Sequence, residues 1–241
     1  MNQSQYFEFE DKNSDFPYYK NKNFFSNRSG LLLLFSIILF ILLIFGPIKF
    51  KTYQEELILF LAMSLPFVIA LKGRLGSLFK KPKISDIKLV ILCVLGNLFL
   101  LLIITTVDVI INTVLPINII HATSSFGSYD SITLLNCIVA AFQIVAEEIF
   151  RIMIFITCLY VAYKFSNNRK TSIIIAVVFS LLVFGLMHAN TYSNILYCIV
   201  VMGFGTFFTL YPYLKTKNVL LSIFVHMIWN LLVLIVQTTV G

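Results

Sequence analysis

The sequence predicts an all-α polytopic membrane protein: a bundle of seven transmembrane helices, or eight if the fourth breaks at its acidic centre. Three observations carry this. Of the 241 residues, 59% are hydrophobic and 12% charged, with a mean hydropathy of +0.92, whereas soluble domains are about 45–50% apolar and about 25% charged. The apolar residues come in runs close to the ~20 residues that cross a bilayer. Lysine and arginine collect between alternate runs, as the positive-inside rule demands of helices that weave to and fro.

Residues 1–30 are polar, of mixed charge, and rich in Asn, Phe and Tyr. They are too long and too acidic for the leading region of a signal peptide, and read as a cytoplasmic tail before a retained first helix. Spans follow at Leu31–Ile48, Leu57–Leu71, Leu89–Leu115, Ile132–Tyr163, Ser172–His188, Tyr192–Leu214 and Val219–Val240. Pro66 in the short second span predicts a kink. The long fourth span is either one tilted helix or two. The chain therefore divides into the tail (1–30), N-terminal helices (31–115) and a C-terminal core (130–241).

Lys72, Arg74, Lys80, Lys81, Lys83 and Lys88 follow the second span, Lys164, Arg169 and Lys170 the fourth, and Lys215 and Lys217 the sixth. Connections 116–131 and 189–191 hold neither lysine nor arginine. This pattern puts the N-terminus inside and the C-terminus outside. Only the first connection, with Lys49 and Lys51 against Glu55 and Glu56, is ambiguous. The net charge of +7 thus reports topology and implies no nucleic-acid partner. The basic loop 72–88 meets anionic lipid headgroups. Cys93, Cys137, Cys158 and Cys198 all fall in apolar runs without metal-ligand spacing and read as small buried hydrophobes.

Few strongly polar side chains lie inside the spans. Glu147, Glu148 and Arg151 are in the fourth, His188 ends the fifth, and His226 and Asn230 share a face of the seventh. A carboxylate at the bilayer centre costs roughly 2.5–3.5 kcal/mol on insertion scales and marks a functional site by default. At about 100° per residue, Arg151 falls between the two glutamates and can reach either. One glutamate would be held ionised and the other left to act as a general base. His188, at the outer end of its helix, converges with the others only if that helix is tilted, kinked or longer. Asp108 should meet headgroup water and His121 should lie on the surface. Asn97, Asn136 and Gln143 should bond to neighbouring helices, and Gly203 and Gly205 should allow close packing. Trp229 reads as core or pocket wall.

These residues resemble the CAAX-protease and bacteriocin-processing family (CPBP, or Abi) of intramembrane endopeptidases. Its signature is Glu-Glu followed by Arg, then Phe-x-x-x-His, then His-x-x-x-Asn or Asp, on three successive helices. Glu147, Glu148 and Arg151, then Phe184 and His188, then His226 and Asn230 match it over about residues 130–235. The family usually reads Glu-Glu-x-x-x-Arg, and this chain is one residue shorter there. The resemblance implies peptide hydrolysis in the membrane, with a glutamate and His188 activating water and His226 and Asn230 stabilising the oxyanion. It leaves open which glutamate acts, including Glu148 as base with Glu147 clamped by Arg151, or a dead site. It also leaves open a zinc ion held by Glu147, Glu148, His188 and His226, if a metal is used. Substrates would be membrane-bound peptides: pheromone, bacteriocin-related or signal-peptide-derived precursors in a bacterial plasma membrane. The rival readings are a noncatalytic relative that regulates a sensor or transporter, and a proton-coupled transporter.

Overall fold

The computed structural model describes residues 5–20, 27–47, 50, 52–71, 75–115, 133–192 and 194–240. His121 and the connection 116–131 lie outside these residues, as do Lys49, Lys51, Lys72 and Arg74. Seven helical elements make up the described chain: α1 (Arg28–Phe45), α2 (Thr52–Leu71), α3 (Ile84–Val114), α4 (Leu134–Ser166), α5 (Arg169–Leu186), α6 (Ile195–Thr216) and α7 (Val219–Val240). Six of them are long and apolar enough to cross a membrane; α4, with its charged centre, is not among these six. Large apolar side chains such as Phe35, Ile69, Phe99 and Leu102 are exposed on the outer faces, the surface a bilayer covers.

Helix starts are set by side-chain caps. Asn27 Oδ1 accepts from the Gly30 amide, Thr133 Oγ1 from Asn136, Asn168 Oδ1 from Thr171, and Asn194 Oδ1 from Leu196 and Tyr197. Each satisfies donors that the first helical turn leaves unpaired. Pro66 sits inside α2 without ending it. The fourth span is one continuous helix of 33 residues, so no eighth helix arises from it.

α4 is the central element. It packs against α1, α2, α5 and α7, while α3 lies against α6 and α7. From Ala146 to Ile156, only Glu147 is not buried. α5 and α6 meet closely at glycines: a Cβ on Gly185 would run into the Cys198 carbonyl oxygen, and one on Gly203 would stand 2.7 Å from the Leu181 carbonyl oxygen. Here α6 widens into a π-helical turn, Cys198–Gly203.

Among the described residues, the lysines and the arginines other than Arg151 gather at one end of the bundle, with the N-terminal segment folded onto it. Lys80 Nζ donates to the Thr216 carbonyl at 2.9 Å, and the Asp11 amide to the Lys215 carbonyl at 2.8 Å. Glu10 receives Arg169 Nη1 and Nη2 at 2.8 and 2.6 Å and Lys217 Nζ at 2.6 Å. Asp15 also binds Arg169, and the Tyr6 and Phe16 rings cover its guanidinium. Residues 5–20 are therefore a packed strap, with Glu10, Phe16 and Tyr19 buried. Asp108 differs from expectation in being buried, at 8% exposure. Asn97 is fully buried with neither side-chain polar atom hydrogen bonded, so it does not make the expected bond to a neighbouring helix.

Candidate active site

α4 presents Glu147 and Glu148 on faces about 100° apart, and the neighbours make those faces different. Glu148 points into the core against α7. Its side chain is completely buried, its Oε1 receives Arg151 from one turn along α4, and the same oxygen lies 2.8 Å from His226 Nδ1. A carboxylate so bonded only accepts, so His226 carries its proton on Nδ1. The Arg151 guanidinium is held from its other side by the Phe184 ring, 4.7 Å away. Arg151 thus clamps Glu148, not Glu147. The three-residue separation that departs from the family spacing is enough for this pairing. The remaining polar atoms, Glu148 Oε2 and Arg151 Nε and Nη1, are buried without a protein partner.

Glu147 faces the other way, into a cavity of about 600 Å³ whose wall includes His188, His226, Trp229 and Asn230. Glu148 and Arg151 lie outside that wall. Glu147 Oε1 accepts a 2.8 Å bond from Gln143 Nε2, and Oε2 stands 3.8 Å from His226 Nε2. His226 therefore spans the two acids, one nitrogen on each. Gln143 bonds within its own helix, to the acid it precedes by one turn, rather than to a neighbouring helix.

His188 joins the site because α5 ends before it. Leu186 is the last helical residue, and the chain turns over 187–191. His188 Nδ1 lies 2.9 Å from the Phe184 carbonyl oxygen. A carbonyl cannot donate, so Nδ1 holds the proton and Nε2 is left as an acceptor. Phe184 links the two imidazoles, its ring 5.1 Å from that of His188 and 6.1 Å from that of His226. Asn230, one turn beyond His226, lines the same cavity. All six residues singled out from the sequence are thus brought around one locus, four on the cavity and two behind it.

Among the described residues, no three His, Cys, Asp or Glu side chains are grouped to hold a metal ion. Glu148 and the Nδ1 of His226 are already bonded to each other, whereas zinc needs about three protein donors directed at one point. The residues as placed do not fit a zinc ion.

Sequence reasoning missed Glu56. It lies in the first turns of α2, lines the cavity, and has its Oε2 buried without a partner. The charges acting on it are those of Glu147 and Glu55, both of like sign. The signal was available: Glu55 and Glu56 begin an apolar run, but starting the span at Leu57 leaves them in a loop.

A helical membrane protein with a guanidinium-clamped glutamate behind a cavity, and a second glutamate and two imidazoles within it, has the parts of a hydrolase. Residues 130–232 match the family model described as Rce1-like, type II CAAX prenyl endopeptidase. Over that segment the chain is similar to this CAAX-protease family, a family of membrane proteases. No curated protein and no solved structure gives a significant match.

Proposed function

We propose that the chain is an intramembrane endopeptidase that hydrolyses membrane-associated peptides or peptide precursors, with Glu147 as general base. One observation supports this above the others. Of two adjacent glutamates, one is sealed and paired, and the other opens onto the cavity with an imidazole beside it.

Glu147 Oε2 takes a proton from water, whose oxygen attacks the carbonyl carbon of the scissile bond. His188 Nε2, an acceptor in its bonded tautomer, helps to orient that water. His226 has a carboxylate at each nitrogen. With hydrogen on both nitrogens, its Nε2–H, together with the Asn230 amide, donates to the developing oxyanion. Glu148 and Arg151 touch no substrate; they fix the tautomer and position of His226. Collapse of the tetrahedral intermediate breaks the C–N bond, and the proton on Glu147 passes to the departing amine. Within the family's range, pheromone, bacteriocin-related and signal-peptide-derived precursors are the substrates to try first.

The test uses the purified full-length chain in detergent with lipophilic peptides, with and without chelator, and cleavage read by mass spectrometry. Glu147→Gln should lower cleavage about 10²–10⁴-fold, the usual contribution of a general base, with its thermal midpoint unchanged. Wild-type rates in the Glu147→Gln, Glu148→Gln double variant would end the protease reading in favour of a noncatalytic relative.

A further inference from the structure

The cavity occupies only one half of the bundle. Its wall is made by Ile44 near the end of α1, Glu55 in the first turn of α2, Asn136 and Cys137 in the first turn of α4, and His188 just past α5. From there it runs down to Glu147, Phe184 and His226. At the other end the same helices are closed over one another. Phe155, Leu159, Tyr213 and Leu214 are buried there, and the strap lays Phe16 and Tyr19 across them, with Glu10 tied to Arg169 and Lys217.

Charge separates the two halves in the same way. Lys80, Lys83, Arg169, Lys170, Lys215 and Lys217 belong to the closed end. The described residues lining the cavity include Glu55, Glu56 and Glu147 but no lysine or arginine. The closed, basic end is the one the positive-inside rule assigns to the cytoplasm.

We propose that the active-site cavity is loaded from the non-cytoplasmic half of the membrane, so that the substrates are peptide segments on or near the outer face rather than cytoplasmic tails. This rests on the endopeptidase reading for the word substrate, but the direction of access is a property of the cavity alone. A peptide approaching from the cytoplasm would have to displace the strap and its buried ion pairs. One approaching from the outer half meets the wall of the cavity directly.

Cys137 supplies a native reporter, since it lines the cavity and is exposed. Cells expressing the full chain are treated with a membrane-impermeant maleimide before or after permeabilisation. Lys81→Cys, exposed at the basic end, is carried as the opposite marker in a Cys137→Ser background. Cys137 should be labelled in intact cells, and Lys81→Cys only after permeabilisation. Glu55→Cys, also in the Cys137→Ser background, repeats the rim measurement at a second helix. The reverse pattern, or no labelling of either rim position in intact cells, overturns the proposal. A second arm uses single-span substrates carrying the same cleavable peptide on the outer or the inner side of the anchor. Outer-side cleavage is expected, and cleavage confined to inner-side peptides overturns the assignment of face. If neither is cut, the protease reading fails, and the labelling still decides which face the cavity serves.

Discussion

Glu10 at the basic end and Glu56 at the cavity end are both carboxylates with a buried oxygen, and their surroundings differ in every other respect. Glu10 receives three charge-assisted bonds from Arg169 and Lys217 and a fourth from the Phe7 amide. Glu56 keeps one oxygen buried with no partner and feels only like charges, from Glu147 and Glu55. A buried ion that is fully bonded holds a fold together once formed, whereas one left unmet costs free energy and is retained for another reason. The basic end is therefore built as a fastening and the cavity end as a candidate site. Lys217 makes the same point: as a non-glycine residue at φ 56° it holds a left-handed backbone that sterics disfavour, and its ammonium bonds to Glu10 and to the Leu214 carbonyl.

The widest separation between the two ends should come from Glu10→Ala. It leaves the buried Lys217 ammonium without a carboxylate and Arg169 with Asp15 alone, and breaking such a group by removing one partner costs about 3–5 kcal/mol. Unfolding of the purified protein in detergent should show a loss of this size. A loss below about 1 kcal/mol, the value of an exposed ion pair, would mean that the strap is not a fastening and would erase the contrast.

The same fastening has a sign with pH. Burial pushes the Glu10 carboxyl up, but the bonds from Arg169, Lys217 and the Phe7 amide outweigh it and hold it below its ordinary 4.5. For Asp15, burial is likewise outweighed by the bonds from Lys20 and Tyr19 and the charge of Arg169, which hold it below 3.8. A carboxylate with a lowered folded pKa contributes stability that is complete above its ordinary value and drains away as pH falls through the lowered one. The stability advantage of wild type over Glu10→Gln should be constant near neutrality and shrink once pH drops below 4.5. An advantage that grows in acid would show that Glu10 is not held ionised.

Much of this was legible in the sequence, and what was not has physical causes. Apolar runs placed every helix, because a bilayer demands length and composition that few other environments do. The three polar motifs picked out residues that the fold brings around one cavity, because buried charge is costly enough to draw the eye. Which of Glu147 and Glu148 pairs with Arg151 could not be read. Helical geometry lets Arg151 reach both, and only His226, 78 residues further on, breaks the tie. The strap was hidden for a similar reason. Glu10 reads as one polar residue among many, and its partners lie 159 and 207 residues away. Depth along α3 suggests exposure for Asp108, whereas its facing into the bundle decides its burial.

The smallest effect, and the one of opposite sign, belongs to Glu56→Gln. It replaces an unpaired carboxylate with a neutral amide of nearly the same shape. An unmet buried polar group costs about 1–3 kcal/mol, and relieving part of that should leave the thermal midpoint equal to wild type or raise it. Stabilisation bought at a functional site commonly carries a loss of activity. A raised midpoint with slower peptide cleavage would identify Glu56 as an acid kept for work in the cavity. A raised midpoint with cleavage unchanged would assign it no part in the reaction and leave Glu147 as the cavity acid that matters. A drop comparable to that of Glu10→Ala would mean Glu56 has a stabilising partner after all, and the two ends of the bundle would then treat their acids alike.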